Sequence, residues 1–472
     1  MNNCQLLIND YPLYNEELIM EGKKQRIVNY QLSIKNYPLY KDSAIDWIGE
    51  IPEHWDIKRL KDLGFLYSGL TGKAGSDFTN EHQWSCDFIP FVNIANNQYI
   101  SLSDMKKVIV TPQEKQNQVK KHDLFFLMSS ENYEDIGKTA LLRSDIRSTY
   151  LNSFCKGFRF TTKKIEPNFA NYLFSSRKYR DSFAIEGKGF TRINLKIKKV
   201  NNLFFLLPPL REQVEIAHYL DTKTAQIDRK IDLLTQKAKR YEELKRVLIN
   251  ETVTRSLDKS VPMKDSAIEW IGEIPEHWEV NRLKDIARQS KEKNGNTHIG
   301  EMLSVSGYRG IEFKKYDDEL KKRTDEELSD YRVVRPGQLV VNTMWLNYRG
   351  IGVSKLRGYV SPAYRAYFLN KTAYGTFIHY LMRSDLYVSG YSKYLQGIRP
   401  NSLQMKTIDF ECLPMLVPPL PEQEAIAHYL DTKTAQIDQI IQTINTQVEK
   451  LQELRKTLIN DVVTGKIKVI DN

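Results

Sequence analysis

No stretch of this sequence approaches the ~18–20 consecutive apolar residues that a bilayer-spanning helix needs. The run Leu203–Leu207 stops at Pro208-Pro209. Residues 1–10 show no basic segment ahead of a long apolar one, so no secretory leader is expected. The four cysteines, Cys4, Cys86, Cys155 and Cys412, are scattered and form no C-x-x-C pair. That spacing excludes a zinc ribbon and a disulfide framework, and fits a reducing, cytoplasmic setting. The eight histidines offer no H-x-x-x-H and no Cys/His zinc spacing. A G-x-x-x-x-G-K-[ST] phosphate loop is also missing.

What the sequence does have is a repeat. Lys41–Asp62 reads KDSAIDWIGEIPEHWDIKRLKD and Lys264–Asp285 reads KDSAIEWIGEIPEHWEVNRLKD. A second block, AHYLDTKTAQID, occurs unchanged at Ala217–Asp228 and Ala427–Asp438. Pro208-Pro209-Leu210-Arg211-Glu212-Gln213 and Pro418-Pro419-Leu420-Pro421-Glu422-Gln423 stand just upstream of the two copies. Between the blocks, residues 64–206 and 286–416 match poorly. Only their ends agree, where Tyr172-Leu173 and Tyr380-Leu381 open helical stretches that reach the glycine loops Gly189–Leu195 and Gly397–Leu403. Each half is a near-identical frame around a divergent insert, as expected of one scaffold presenting two recognition surfaces.

The 472 residues carry 69 Lys+Arg against 59 Asp+Glu, a formal net charge of +10. Residues 64–206 hold 21 basic and 13 acidic residues (+8), and residues 286–416 hold 20 and 13 (+7), which leaves 28 and 33 (−5) for the frame. The excess therefore lies in the two inserts, which points to a polyanion, nucleic acid before others. Chance surface composition is the competing explanation.

Residues 211–257 contain neither Gly nor Pro. Apolar residues fall at Ile227, Ile231, Leu234, Ala238, Tyr241, Leu244 and Leu248, and with the same spacing at Ile437, Ile441, Ile444, Val448, Leu451, Leu454 and Leu458. That period is a coiled-coil seam. A single stripe is more often an ordinary core face, but two equal stripes favour mutual packing. Asp221 and Asp431 interrupt the stripe and are expected to kink or re-cap the helices. A helix of about 40 residues spans roughly 60 Å, more than one turn of B-DNA. If the two helices pack antiparallel, the inserts lie at opposite ends of that rod. Within the inserts, Phe88–Val92, Leu124–Leu127 and Gln338–Val341 read as strands, and Asn168–Ile185 and Thr372–Tyr387 as helices.

The order of these motifs resembles the specificity subunit of type I restriction-modification systems. The resemblance rests on the two Pro-Glu-Gln stretches leading into long helices, the paired IPEHW blocks (Ile51–Trp55, Ile274–Trp278), and the helix ends Leu248-Ile249-Asn250 and Leu458-Ile459-Asn460. Within the inserts it rests on Ser129-Ser130-Glu131 with Ile136-Gly137, and on Arg335–Val340 with Gly352-Val353-Ser354 and Ser361–Tyr364. It covers about residues 41–470. It implies an α+β fold of two mixed α/β target-recognition domains joined by two long antiparallel coiled-coil helices, with a pseudo-two-fold internal repeat. On this reading residues 1–40 are an N-terminal extension, 41–206 and 259–416 the two recognition domains, and 207–258 and 417–472 the spacer helices. Tyr11–Tyr14 recurs as Tyr37–Tyr40 without an assigned function.

The resemblance further implies a DNA-binding, non-catalytic subunit that reads an asymmetric bipartite target. Its implied partners are two adenine methyltransferase subunits using S-adenosylmethionine and two restriction subunits using ATP and Mg2+. No cofactor or metal is expected on this chain. Consistent with that, Pro-Pro here is followed only by leucine, never in the Asn/Asp-Pro-Pro-Tyr/Phe loop of adenine methyltransferases. The alternatives are a type IIB-like or orphan methyltransferase system, and a coiled-coil scaffold without DNA binding. Phosphates call for cations and hydroxyls, and base edges for Arg, Asn, Gln, Ser or Thr. The candidates are Ser129, Ser130, Lys138, Lys188, Thr191, Arg192 and Asn194 in the first insert. In the second they are Asn342, Trp345, Asn347, Arg349, Arg365, Gln396, Arg399 and Asn401, with Trp345 fitting the core equally well. Lys196, Lys198 and Lys199 fit phosphate contacts or a solvated strand face.

Overall fold

A computed structural model describes residues 36–189, 191–295, 300–307, 309–315, 328–397 and 403–469. The chain divides into two compact units, Met1–Arg229 with Leu451–Asn472, and Lys230–Lys450.

In the first unit, the strand Asp56–Arg59 leads into the insert and pairs antiparallel with Phe204–Leu207, which leads out of it, Asp56 opposite Leu207. In the second unit Glu279–Arg282 pairs with Pro414–Val417 in the same way. Each insert thus leaves and re-enters the frame at one two-stranded ladder. The chain between the two strands can vary in length and sequence while this ladder keeps its register.

The inserts share a topology that their sequences conceal. The first contains an antiparallel sheet ordered Gly64–Ser68, Cys155–Phe160, Leu124–Leu127, Thr139–Leu141. The second repeats it as Ala287–Gln289, Arg365–Leu369, Leu339–Val341, Ile351–Val353. Beside it, Ser85–Ile89 is antiparallel to Lys106–Ile109 and parallel to Thr149–Leu151. Glu301–Ser306 is likewise antiparallel to Gly310–Phe313 and parallel to Gly358–Val360, with Arg332–Val334 added at the edge. The divergence lies in the connections. The strand expected over 88–92 ends at Ile89, because Pro90 breaks it and leads into the helix Phe91–Asn96.

The long helices run Leu210–Arg255 and Leu420–Val463. Pro421 sits in the first turn, where its missing N–H costs nothing. Neither helix breaks at the aspartates expected to interrupt it. Instead Asp221 accepts hydrogen bonds from Tyr99 Oη and Tyr172 Oη, each 2.7 Å. Asp431 accepts one from Tyr380 Oη, 2.7 Å. The aspartate is an outward acceptor for the insert's tyrosine, so the helix has no need to bend.

Within each unit the start of one helix packs beside the end of the other, which makes the pair antiparallel. Asp228 pairs with Arg455 at 2.9 Å in the first unit, and Asp438 with Lys245 at 2.6 Å in the second, at matching repeat positions. In the second unit Ala238, Ile437 and Ile444 are buried. Ile231, Leu234, Tyr241, Leu244, Leu248, Ile441 and Val448 are half-buried beside them. In the first unit Leu458 is buried against the core containing Ile216 and Leu220, with Ile227 and Leu451 half-buried. Leu454 departs from the stripe and faces outward, 46% exposed.

The helix reading over 168–185 divides at Ser176 into Pro167–Ser175 and Arg177–Glu186. That over 372–387 divides at Ser384 into Gly375–Arg383 and Asp385–Tyr391. The break exposes a fresh helix N-terminus to the frame. Asn460 Oδ1 accepts from Lys178 N (3.3 Å), and Asn250 Oδ1 accepts from Asp385 N (2.8 Å). The repeated Leu-Ile-Asn motif is therefore a cap supplied by the long helix to the insert.

Candidate nucleic-acid interface

The frame motifs meet one another. His54 Nε2 lies 2.8 Å from Glu212 Oε2, and His277 Nε2 lies 2.7 Å from Glu422 Oε2. The neighbouring glutamines bond back to the insert. Gln213 accepts from Glu166 N and donates to Lys164 O and Pro208 O, while Gln423 accepts from Tyr374 N and donates to Thr372 O and Pro418 O. Trp47 packs edge-on against Tyr179, and Trp270 against Tyr387. IPEHW and Pro-Glu-Gln are thus two halves of one clasp, and the histidines serve packing and hydrogen bonding. Glu186 pairs with Lys199 at 2.8 Å, on and beside the short helix Ile197–Asn201 that replaces the strand face considered for Lys196–Lys199.

In the first module most of the candidate residues converge. Strand Ser129–Ser130 pairs with Ile193–Asn194. Lys188 N donates to Asn194 O and Asn194 N to Lys188 O, which closes a hairpin around Gly189. Lys188, Thr191, Arg192 and Asn194 are exposed on it. The Arg192 guanidinium stacks 4.5 Å from the centre of the Phe154 ring and lies 3.8 Å from the Glu131 carboxylate. Phe154 was not anticipated, since only the fold brings it under residue 192. Ser130 is buried, its hydroxyl accepting from Asn132 N. Lys138 is held by Asp135 at 2.6 Å and Ala95 O at 3.0 Å.

The second module places Asn342, Trp345, Asn347 and Arg349 on one loop between Leu339–Val341 and Ile351–Val353. Asn342 is buried, its side chain accepting from Met344 N. Asn347 Oδ1 and Arg365 Nη1 are buried without a hydrogen-bond partner. Arg349, in the left-handed region at φ 58, donates to Arg383 O and pairs with Asp385. Gln396 is exposed and exchanges backbone hydrogen bonds with Gln404, as Lys188 does with Asn194. Arg399 and Asn401 lie outside the described residues.

Sequence reasoning missed Arg383, which holds this loop from below. Its Nη1 donates to Ser306 O, Arg349 O and Ile351 O, and its Nη2 to Gly307 O, at 2.7–3.2 Å. Burial pulls this guanidinium down to about 10, so it stays charged near neutrality. Nearby, His379 Nδ1 accepts from Val353 N at 3.2 Å, against the bare faces of Gly310 and Gly352.

Burial, with the positive Arg383 beside it, pulls His379 down to about 4. An unfolded histidine takes its proton near 6.5. The neutral ring therefore stabilises the folded module fully above about pH 6.5, and that contribution is lost as pH falls towards 4, at most ~3 kcal/mol. Denaturant midpoints of the wild type are expected to fall across this window, and those of His379→Asn to fall less. Parallel curves would reject the assignment.

A family model described as the type I restriction modification DNA specificity domain matches residues 52–243. The chain is 26% identical over 435 residues to the putative type I restriction enzyme MjaX specificity subunit of Methanocaldococcus jannaschii, covering 89% of this chain and 96% of that one. It is 22% identical to the EcoKI specificity subunit of Escherichia coli, over 89% and 90% of the two chains. Its fold matches the HsdS subunit from Thermoanaerobacter tengcongensis with a TM-score of 0.52 at 15% identity, over 88% and 98%. A chain solved in work on the assembly and conformational transition of a type I system matches at TM-score 0.65 and 15% identity, over 88% and 99%. The class defined by the fold and the clasped frames is a scaffold that presents two unlike inserts from two equal frames. Along most of its length the chain is similar to specificity subunits of type I restriction-modification systems, and its residues 52–243 match the model of their DNA specificity domain.

Proposed function

We propose that this chain reads an asymmetric bipartite DNA target, one half with each insert, and is the non-catalytic member of its complex. The observation that carries the reading is the repeated ladder. Two unlike inserts, at +8 and +7, are hung from the same frame by the same pairing, Asp56–Arg59 with Phe204–Leu207 and Glu279–Arg282 with Pro414–Val417. Equal frames offer equal docking places, so two methyltransferase subunits using S-adenosylmethionine join it, and two restriction subunits using ATP and Mg2+ complete the assembly. The acidic balance of the frame leaves it free for protein contacts, while the basic inserts take the phosphates. Among the described residues, no helix is long and apolar enough to cross a membrane.

Methylome sequencing of the host with and without the gene tests this. The expected result is loss of one bipartite adenine-methylation motif whose two halves differ. An unchanged methylome in a host that expresses the partner subunits would overturn it.

A further inference from the structure

The loop Asn342–Gly350 presents three large apolar side chains to solvent. Met344, Trp345 and Tyr348 are 39%, 55% and 48% exposed. They do not flop. Tyr348 N donates to Trp345 O, and Trp345 N to Asn342 O. A Cβ on Gly350 would lie 2.7 Å from Trp345 O, so only glycine lets the loop close this tightly. Arg383 grips the carbonyls of Arg349 and Ile351 from within. Trp345 and Tyr348 pack at 5.4 Å between ring centres. The cost of holding an indole in water has been met by a rigid scaffold rather than by burial.

The loop's own cation is already committed, because Arg349 is paired with Asp385. Its contact surface is therefore apolar inside a module of net charge +7. It borders the glycine-loop ladder, since Met405 N donates to Thr343 O with exposed Gln404 and Lys406 on either side. The matching place in the first module, where Leu195 N donates to Met128 O, presents Ser129, Glu131 and Arg192 instead. The two modules put different chemistry at the same position.

We infer that Met344, Trp345 and Tyr348 form an apolar wedge that enters the DNA duplex at the second half-site. The surrounding basic module supplies the phosphate contacts, and the wedge stacks on bases or parts a base step. Stacked aromatic contacts tolerate many bases, and wedges favour steps that unstack easily. The second half-site is thus selected partly by deformability, whereas the first is read by Arg192 and its neighbours. This rests on the bipartite reading proposed above.

The test uses the full chain assembled with its methyltransferase partner, and duplexes carrying the motif found in the host methylome, end-labelled for energy transfer. Trp345→Ala is expected to weaken target binding about tenfold to a hundredfold and to move the DNA ends towards their spacing in free duplex. Trp345→Phe should keep most of both effects. The loss should vanish on a duplex with the second half-site scrambled, and melting curves check that each variant is folded. Unaltered affinity and end spacing in folded Trp345→Ala would overturn the wedge. So would a folded Trp345→Ala that fails to assemble with its partner, which would make the loop a protein contact. If the wild-type complex does not prefer the motif at all, it is the bipartite reading that fails.

Discussion

Trp55→Ala is expected to destabilise the first unit by about 3–5 kcal/mol, the range for removing a large buried aromatic side chain. Trp55 has no exposed surface, and its Nε1 donates to Glu212 Oε1 at 3.1 Å. Tyr37 packs against it at 5.9 Å between ring centres and also donates to Glu212. Trp278 is equally buried in the second unit, so Trp278→Ala should cost a similar amount there. The two phenylalanine variants separate packing from hydrogen bonding. Trp278 Nε1 has no partner, while Ser256 Oγ donates to the Glu422 carboxylate. Trp278→Phe therefore removes an unsatisfied group, while Trp55→Phe breaks a bond to a carboxylate. Trp55→Phe is expected to cost about 1–3 kcal/mol more than Trp278→Phe, measured by denaturant unfolding. Equal costs would show that Glu212 contributes nothing through the indole. The functional consequence follows from the clasp. A loosened frame releases its own insert, so Trp55→Ala should lower methylation at the motif even though Trp55 touches no DNA.

The frame was legible because it is written twice. Two copies of IPEHW, Pro-Glu-Gln and Leu-Ile-Asn show that a position matters, even before its partner is known. The partners were not legible. Nothing in the spacing says that His54 meets Glu212, or that Asn460 caps the helix beginning at Arg177, because those pairs lie 158 and about 280 residues apart. Asp221 was misread for the same reason. A polar residue on an apolar stripe looks like a defect until Tyr99 and Tyr172 arrive from elsewhere in the chain. The inserts were harder still. Their common sheet topology survives with almost no shared residues, because a strand needs only alternation and a neighbour. Among the DNA candidates, residue type pointed to Ser130, Asn342 and Arg349, but the fold turns the first two inward and pairs the third with Asp385. The glycine loop of the first insert, Gly189–Leu195, was legible as a local unit. Its residues share a hairpin, so local sequence alone sets them side by side.

That hairpin carries the second large effect. Gly189 sits at φ +145, and a Cβ there would lie 1.9 Å from the carbonyl oxygen of Arg192. Backbone cannot yield as the tip of a side chain would, so Gly189→Ala must open the turn. The ladder between Lys188 and Asn194 is then lost, together with the presentation of Thr191, Arg192 and Asn194. Binding to the first half-site should collapse towards the non-specific level, typically a loss of a thousandfold or more. Recognition of the second half-site should survive, since no element of Lys230–Lys450 includes this hairpin. Arg192→Ala leaves the turn in place and removes one side chain, so it should relax the first half-site by only about 1–3 kcal/mol. The ordering distinguishes a built recognition hairpin from a plain connector. Competition binding against duplexes with either half-site scrambled gives the measurement. A Gly189→Ala protein with normal discrimination at both halves would show that the hairpin merely joins the helix to the strand.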